Sequence, residues 1–251
     1  LDAVKHIDSF FMKNFIRDIT EKYGEDFYVF GEFWNSDEKA NNDYLENIDY
    51  RFDLVDVKLH HNLFDASKSG ADYDLRTIFD QTLAKNHPES AVTFVDNHDT
   101  QRGQALESTV EEWFKPAAYA LILLREAGLP CVFYGDYYGI SGEFAQESFQ
   151  ELLDKLLDIR LNLAYGEQTD YFDDANCIGW TRQGKDDDGQ PIAVLISNDQ
   201  ATSKSMFVGP EWAGREFSDY LGNSSQIVTI DDQGWGEFPV EEKSVSVWSV
   251  R

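Results

Sequence analysis

Short apolar runs alternate with amphipathic helical segments over residues 1 to about 165, and this alternation limits the possible folds most strongly. Each run is nearly continuous in apolar residues, as in a parallel strand that is buried on both faces. After Asp8, the residues Phe11, Phe15 and Ile19 recur with the 3.6-residue period of a helix. The strand-like runs are 27–32, 52–57, 91–95 and 131–134, and the helical segments are 8–24, 73–83, 114–126 and 149–163.

The number of strand–helix units leaves two α/β folds open. A closed (β/α)8 barrel has eight strands and takes about 250 residues. The segment 1–165 holds four strand-like runs and a possible fragment of another that ends at Leu1. The units therefore predict either an open parallel sheet or the C-terminal half of a barrel.

The pattern changes after about residue 166. Short strand-like runs follow one another without helical segments, and turn sequences such as Asp188-Gly189 and Gly222-Asn223 separate them. This spacing predicts a small all-β domain over residues 166–251, built as an antiparallel sandwich. The runs are 178–181, 192–196, 205–208, 227–230 and 245–248.

The charge of the chain excludes several classes of partner. There are 21 Lys and Arg against 47 Asp and Glu, which gives a formal net charge of −26. A protein that binds nucleic acid or an anionic membrane needs a basic surface, so we expect neither partner. Hydrophobic residues make up 42% of the chain and aromatic residues 14%, which predicts a soluble, folded protein rather than an acidic disordered segment.

The two cysteines and the first residues carry little functional information. Cys131 and Cys177 fit neither a disulfide framework nor a metal motif, and Cys131 lies in an apolar run where a buried thiol is expected. Both thiols are predicted to be structural. The chain begins at Leu1 without a basic and apolar leader, so no signal peptide is visible.

Three carboxylates follow strand-like segments closely: Asp2, Glu32 and Asp99. The carboxyl ends of parallel strands open onto one face, so these side chains are expected to converge. Glycoside hydrolysis requires such a set, because one carboxylate attacks the anomeric carbon while a carboxylic acid protonates the leaving oxygen. Aromatic and neutral polar side chains suited to a sugar site lie nearby, namely Trp34, Tyr73, His98 and Tyr134.

Spacing alone leaves other interpretations of these acids open. A three-acid face of a barrel could hold Mg²⁺ for enolate chemistry. Acids at strand ends also cap helices and turns, and 47 acids give many chance occurrences.

The local sequences resemble the α-amylase family of glycoside hydrolases (family 13). Residues 1–7, 31–34 and 94–100 are similar to three signature segments of that family, in the same order and spacing. The resemblance extends through 113–116 and 130–136 and is greatest to bacterial liquefying and cytoplasmic members. It implies that residues 1–165 form strands four to eight of a (β/α)8 barrel, and that 166–251 form the following β-sandwich domain.

The resemblance also implies roles for individual residues. Asp2 would be the nucleophile, Glu32 the general acid and base, and Asp99 the transition-state stabiliser, with His98 bound to the same sugar ring. Lys5, His6 and Trp34 would bind the leaving-group side of the glucan.

The family also carries Ca²⁺, and the resemblance implies two positions for it. One uses the backbone carbonyl of His6, with partner carboxylates that are missing from this chain. The other lies between barrel and β-domain, with Asp170, the Tyr73 region, and Asn198 or Asp199 as ligands. Hard oxygen ligands of this kind suit Ca²⁺.

The implied function is retaining endo-hydrolysis of α-1,4-glucosidic bonds in starch, glycogen or maltodextrins. The alternatives are an exo-α-glucosidase or transglycosylase of the same family, or a non-catalytic glucan-binding protein. The full-length protein is expected to be a cytoplasmic monomer, with secretion as the alternative. The chain by itself is expected to have little or no activity, because half a barrel leaves a sheet edge with unpaired backbone N–H and C=O groups.

Overall fold

The first part of the chain forms a parallel sheet in a computed structural model that describes residues 1–185 and 189–251. Its four strands lie in the order β1-β2-β3-β4, each hydrogen-bonded to the next along the chain. The strands are β1 (Phe30–Gly31), β2 (Asp53–Val55), β3 (Ala91–Phe94) and β4 (Leu129–Cys131).

Helices follow these strands. They are α1 (Ser9–Tyr23), α2 (Glu38–Asn47), α3 (Val57–Ser69), α4 (Leu83–Asn86), α5 (Lys115–Leu124), α6 (Tyr134–Tyr138) and α7 (Gln150–Asn162). Short 3-10 helices lie at Val4–His6, Gly70–Asp72, Leu75–Thr77, Pro88–Ser90 and Pro210–Trp212.

The first residues run beside β1. The Leu1 carbonyl accepts a hydrogen bond from the Glu32 amide at 2.8 Å, and the Val4 amide donates to the Glu32 carbonyl at 3.0 Å. The terminal amine of Leu1 donates to the Phe30 carbonyl at 2.7 Å. Leu1 and Asp2 therefore occupy the strand position next to β1, as the predicted fifth strand fragment required.

The remaining strands form two antiparallel sheets. One has six strands in the order β10-β9-β12-β7-β6-β5, and the other pairs β11 with β8. The strands are β5 (Gln168–Tyr171), β6 (Cys177–Arg182), β7 (Ile192–Ser197), β8 (Thr202–Phe207), β9 (Glu216–Asp219), β10 (Ile227–Thr229), β11 (Trp235–Val240) and β12 (Val245–Val250). The predicted boundary at 165–166 falls between α7 and β5, and Asp188 lies outside the described residues.

Strand β7 shows how the two parts are joined. Its six residues are all buried, although successive side chains of a strand point to opposite faces. Val194 and Ile196 belong to the core shared with the helices of the parallel sheet, whereas Ala193 and Leu195 belong to the core between the antiparallel sheets. The large sheet therefore lies between two apolar layers. Together the two parts confirm the predicted fold class, a barrel-type α/β sheet followed by a β-sandwich.

Several local predictions were wrong. The strand predicted at 131–134 lies at Leu129–Cys131, with Tyr134 beginning α6, and strands β5, β9 and β11 were not predicted. Residues 73–83 were predicted to be helical, but they form the 3-10 helix Leu75–Thr77 and turns, because Asp74 caps the Arg76 amide and Gln81 adopts a left-handed φ of 61°. Cys131 was predicted to be buried but is exposed, since it ends β4 and lines the cleft at the carboxyl end of the sheet; Cys177 in β6 is buried. Among the helices that the structure describes, none is long and apolar enough to cross a membrane.

Candidate active site

The carboxyl ends of the parallel strands surround a cleft of about 350 Å³. Asp2 and Glu32 come from the strand positions at one side of the sheet, and the segment after β3 supplies the wall on the other side. Lining residues include Asp2, Glu32, Asp96, Asn97, His98 and Tyr134. Of the three predicted acids, Asp2 and Glu32 line this cleft, whereas Asp99 is not a lining residue but lies close enough to raise the pKa of Glu32.

A strained turn follows Asp2. Ala3 adopts a left-handed φ of 51°, a conformation that non-glycine residues rarely take outside special sites. The turn reverses the chain into the 3-10 helix Val4–His6 and directs the Ala3 amide at the Glu32 side chain, with an N–Oε2 distance of 3.0 Å. The segment that carries Asp2 is thereby attached directly to the Glu32 carboxylate.

The surroundings of Glu32 favour its protonated form. Burial raises the pKa of Glu32, and the neighbouring Asp2 and Asp99 raise it further because a second negative charge nearby is unfavourable. The hydrogen bond from the Ala3 amide opposes this shift. A carboxyl group with a raised pKa keeps its proton to higher pH than a free one does, which suits it to act as a general acid.

Asp99 is presented by a tight turn after β3. The Asn97 side-chain oxygen accepts hydrogen bonds from the amides of Asp99 and Thr100, both at 2.9 Å. The Asn97 amide donates in turn to the Thr100 hydroxyl at 2.9 Å. His98 is exposed at the mouth of the cleft, with its Nε2 atom 3.7 Å from Asp99 Oδ2. The turn therefore holds an acid and an imidazole beside each other at the cleft.

The predicted sugar-binding residues fall into different environments. Lys5 Nζ donates to the Trp34 carbonyl at 2.9 Å, while His6 is exposed next to it. The Trp34 ring is half-buried and packs 6.3 Å from the ring of Phe94, so only part of its face is available to a ligand. Tyr134 is 72% exposed and lines the cleft directly. Tyr73 instead lies at the contact with the β-domain, where its carbonyl accepts from the Asn198 side chain at 2.8 Å.

His60 was missed from the sequence, because residues 57–69 were not predicted to be helical and a single histidine gives no signal of its role. It is fully buried on α3, and its Nδ1 atom lies 2.6 Å from the Val95 carbonyl. Val95 directly precedes the segment 96–99, which carries Asp96, His98 and Asp99. The Val95 carbonyl only accepts, so Nδ1 carries the proton, while Nε2 lies 2.8 Å from Ser108 Oγ, whose hydroxyl also reaches the Leu106 carbonyl at 2.8 Å. Burial lowers the pKa of His60 to about 4.

The buried imidazole should make stability depend on pH. Between pH 6.5 and about 4 the unfolded chain protonates His60 while the folded chain does not, so acidification favours unfolding. The loss over this window is about 3 kcal/mol, from about 1.36 kcal/mol per pKa unit. Denaturant unfolding at pH 7 and pH 4.5 should show a smaller loss in His60→Gln than in the unmodified chain. The exposed His98→Gln serves as control, and an unchanged pH dependence in His60→Gln would contradict the prediction.

The residues at the second predicted calcium position do not fit the ion. Both Asp170 oxygens accept hydrogen bonds from the Arg125 guanidinium, at 2.8 and 2.7 Å. Asn198 donates its amide to the Gly70 and Tyr73 carbonyls, and Asn176 donates to the Ala71 carbonyl. The Arg125 guanidinium already places a positive charge against both Asp170 oxygens, and the Asn176 and Asn198 amide groups present N–H donors, not oxygens, to the Gly70, Ala71 and Tyr73 carbonyls. Within residues 1–185 and 189–251, no group of three or more His, Cys, Asp or Glu could hold a metal ion.

A parallel sheet that gathers acids at its carboxyl ends is an arrangement found in enzymes of the barrel class, glycoside hydrolases among them. The family model for the alpha amylase catalytic domain matches residues 6–213, and the alpha-amylase C-terminal model matches residues 192–249. The chain therefore belongs to the alpha-amylase family.

Relatives of known name support this assignment. The chain is 47% identical to a glucan 1,4-alpha-maltohexaosidase of Bacillus sp. (strain 707), over 99% of this chain and 48% of the relative. It is 39% identical to the cytoplasmic alpha-amylase of Escherichia coli (strain K12), over 100% of this chain and 52% of the relative. The chain thus spans about half the length of these relatives.

Solved structures agree in fold. A cyclomaltodextrin glucanotransferase with a three-domain ABC distribution superposes with a TM-score of 0.74 at 22% identity, over 100% of this chain and 56% of that one. An Anoxybacillus alpha-amylase gives a TM-score of 0.70 at 20% identity, over 100% and 57%. At this identity the likeness concerns the fold alone.

Proposed function

We propose that the full-length protein hydrolyses internal α-1,4-glucosidic bonds of starch, glycogen or maltodextrins with retention of anomeric configuration. The single observation that carries the proposal is the environment of Glu32, which favours a protonated carboxyl group directly beside Asp2. Retaining glycosidases need such a pair, with the two carboxyl groups about 5–5.5 Å apart. Family membership and the names of the relatives support α-glucan as the substrate class.

The proposed reaction has two displacements. Asp2 attacks the anomeric carbon while Glu32 transfers its proton to the glycosidic oxygen, so that the leaving sugar departs as an alcohol. A glycosyl ester on Asp2 then remains. Glu32, now ionised, takes a proton from water, the water oxygen attacks the anomeric carbon, and Asp2 is released. Asp99 stabilises the positive charge that develops on the sugar in both transition states.

The substrate-binding residues are assigned by the same proposal. Lys5, His6 and Trp34 bind the leaving-group side of the glucan, and the Lys5–Trp34 hydrogen bond supports a common surface for them. His98 binds the sugar ring next to Asp99. A calcium ion at the His6 carbonyl is also part of the proposal. One carbonyl supplies a single ligand of the six to eight that Ca²⁺ takes, so the others would come from residues that are not in this chain.

Transglycosylation is the second candidate, since a cyclomaltodextrin glucanotransferase of Thermoanaerobacterium thermosulfurigenes is 29% identical over 99% of this chain and 37% of that protein. The two reactions share the glycosyl-enzyme and differ in whether water or a sugar hydroxyl attacks it. The non-catalytic alternative is disfavoured because all three acids are present.

The products formed from a long α-glucan separate these candidates. We expect the full-length protein to release mixed maltooligosaccharides whose new reducing ends are initially of α configuration, which NMR or chromatography can follow. Glucose as the sole early product would indicate an exo-α-glucosidase, and cyclic or elongated products a transglycosylase. Residues 1–251 assayed alone under the same conditions should show little or no turnover.

A cytoplasmic monomer is the proposed state of the full-length protein. The location rests on the 39% identity to the Escherichia coli relative whose name describes it as cytoplasmic. Cell fractionation would decide between cytoplasm and secretion.

A further inference from the structure

A buried ionic cluster lies beneath the cleft, outside the residues that the proposed mechanism uses. Lys115 is 1% exposed, Asp96 2% and Asp136 0%, so one ammonium group shares an enclosed space with two carboxyl groups. Lys115 Nζ lies 2.9 Å from Asp96 Oδ2 and contacts Asp136 Oδ1. Charged groups are retained at such depth only when each has specific partners.

The lysine joins elements that are distant in sequence. Asp96 follows β3, Asp136 lies in α6 after β4, and Lys115 begins α5 between them. Lys115 also donates to the Gln146 side-chain oxygen at 3.0 Å, while Gln146 Nε2 donates to Asp136 at 2.7 Å. Its ammonium group therefore links the two loops that leave adjacent strands at their carboxyl ends.

Both linked loops reach the cleft. On the first, the Thr100 hydroxyl donates to Asp96 Oδ1 at 3.1 Å and accepts from the Asn97 amide, within the turn that presents His98 and Asp99. On the second, Tyr134 precedes Asp136 by two residues and lines the cleft. The Tyr119 hydroxyl holds the other Asp136 oxygen at 2.5 Å.

We propose that Lys115 is a positioning residue for the glycosidase site, and that its ammonium group fixes the loop of His98 and Asp99 relative to the loop of Tyr134. The expected effect of Lys115 on kcat rests on the proposed function. Its expected effect on the positions of the two loops rests on the buried contacts alone. Burial raises the pKa of Asp96 to about 6, with Lys115 lowering it and Asp136 raising it, so the ammonium charge also favours the ionised Asp96 that Thr100 and Lys115 bind.

The test distinguishes two roles of Lys115: linking the two loops, and neutralising the buried carboxyl groups of Asp96 and Asp136. In the full-length protein, Lys115→Met removes the link but leaves two carboxyl groups without their cation, so it should lower both the melting temperature and kcat. The double variant Lys115→Met/Asp136→Asn removes one negative charge together with the positive one. It should recover most of the melting temperature, while kcat on α-glucan stays about 10- to 100-fold below the unmodified protein and KM changes less, the loss expected from misplaced reacting groups.

A readout that does not depend on activity keeps the two proposals distinguishable. Hydrogen exchange of the full-length protein, followed by mass spectrometry, should show faster amide exchange at 96–100 and 133–136 in the double variant. The surface variant Lys85→Met, which loses an exposed ion pair with Asp80, should show neither effect. Full recovery of kcat in the double variant, or unchanged exchange in both loops, would overturn the role of Lys115. Faster exchange in a full-length protein without glucan turnover would uphold the positioning of the loops and reject the proposed function.

Discussion

Replacing Asp2 with asparagine in the full-length protein should lower kcat/KM on an α-1,4-glucan by about 10⁴-fold or more, which corresponds to about 5.5 kcal/mol of transition-state stabilisation. Asparagine keeps the shape of the side chain but cannot form the glycosyl ester. The Ala3 amide bonds Glu32 rather than Asp2, so the strained turn should persist in the variant. Initial rates of reducing-end formation measure the loss.

A rescue experiment identifies Asp2 as the nucleophile. In Asp2→Ala, azide can enter the space of the lost carboxylate and attack an activated α-glucosyl substrate, giving a β-glucosyl azide by a single inversion. The exposed Asp26→Asn, outside the cleft, is the matched control and should retain full activity. Activity of Asp2→Asn within a few-fold of the unmodified protein would remove Asp2 from the mechanism.

Replacing Glu32 with glutamine should affect substrates according to their leaving groups. Hydrolysis of starch should fall by about 10²- to 10⁴-fold, since a sugar leaving group needs the proton that Glu32 supplies. An α-glucosyl fluoride needs no protonation of its leaving group, so its glycosylation step should fall much less. Pre-steady-state release of fluoride against steady-state hydrolysis of glucan gives the comparison.

The same variant tests the raised pKa. A general acid must be protonated, so the alkaline limb of kcat/KM reports the pKa of Glu32, and burial with the charges of Asp2 and Asp99 moves that limb toward higher pH. Asp99→Asn removes one of these charges and should shift the limb toward lower pH, in addition to its own loss of rate. Glu32→Gln should lack the limb, whereas the exposed Glu25→Gln should keep it. If Glu32→Gln showed the same alkaline limb of kcat/KM as the unmodified protein, the limb would report the pKa of another group.

Local sequence was sufficient for strands β1 to β3 of the parallel sheet and for the acids that follow them, but strands β5, β9 and β11 of the β-domain were missed. Residues 91–95 are apolar except for Thr93, and the structure buries every residue of β3. Because such runs form parallel strands, the positions of Glu32 and Asp99 at the carboxyl edge followed directly. Lys5 and Trp34 were predicted to share a surface, and the hydrogen bond between them is consistent with it.

Other features could not be read from short-range pattern. Helices α2 and α3 were not predicted, although Asp37 and Asp56 cap their first turns, because the segment before α2 is polar and β2 continues into α3 almost without a break. Cys131 is exposed because it lines the cleft, and that cleft is formed by segments far apart in the sequence.

The sequence by itself determined the kind of chemistry: which carboxylates are available, which motifs surround them, and that the strands carrying them are parallel. Tertiary structure decided how those groups behave. The protonated form of Glu32 is favoured by burial and by Asp2 and Asp99, and Asp170 is engaged by Arg125 rather than free to bind a cation. Lys115 and its two buried acids come together from three elements. The physical reason is the sequence separation over which each effect acts. Side-chain periodicity is visible within a few consecutive residues. A pKa shift or an ion pair depends on spatial distances of a few ångströms between residues that are far apart in the chain.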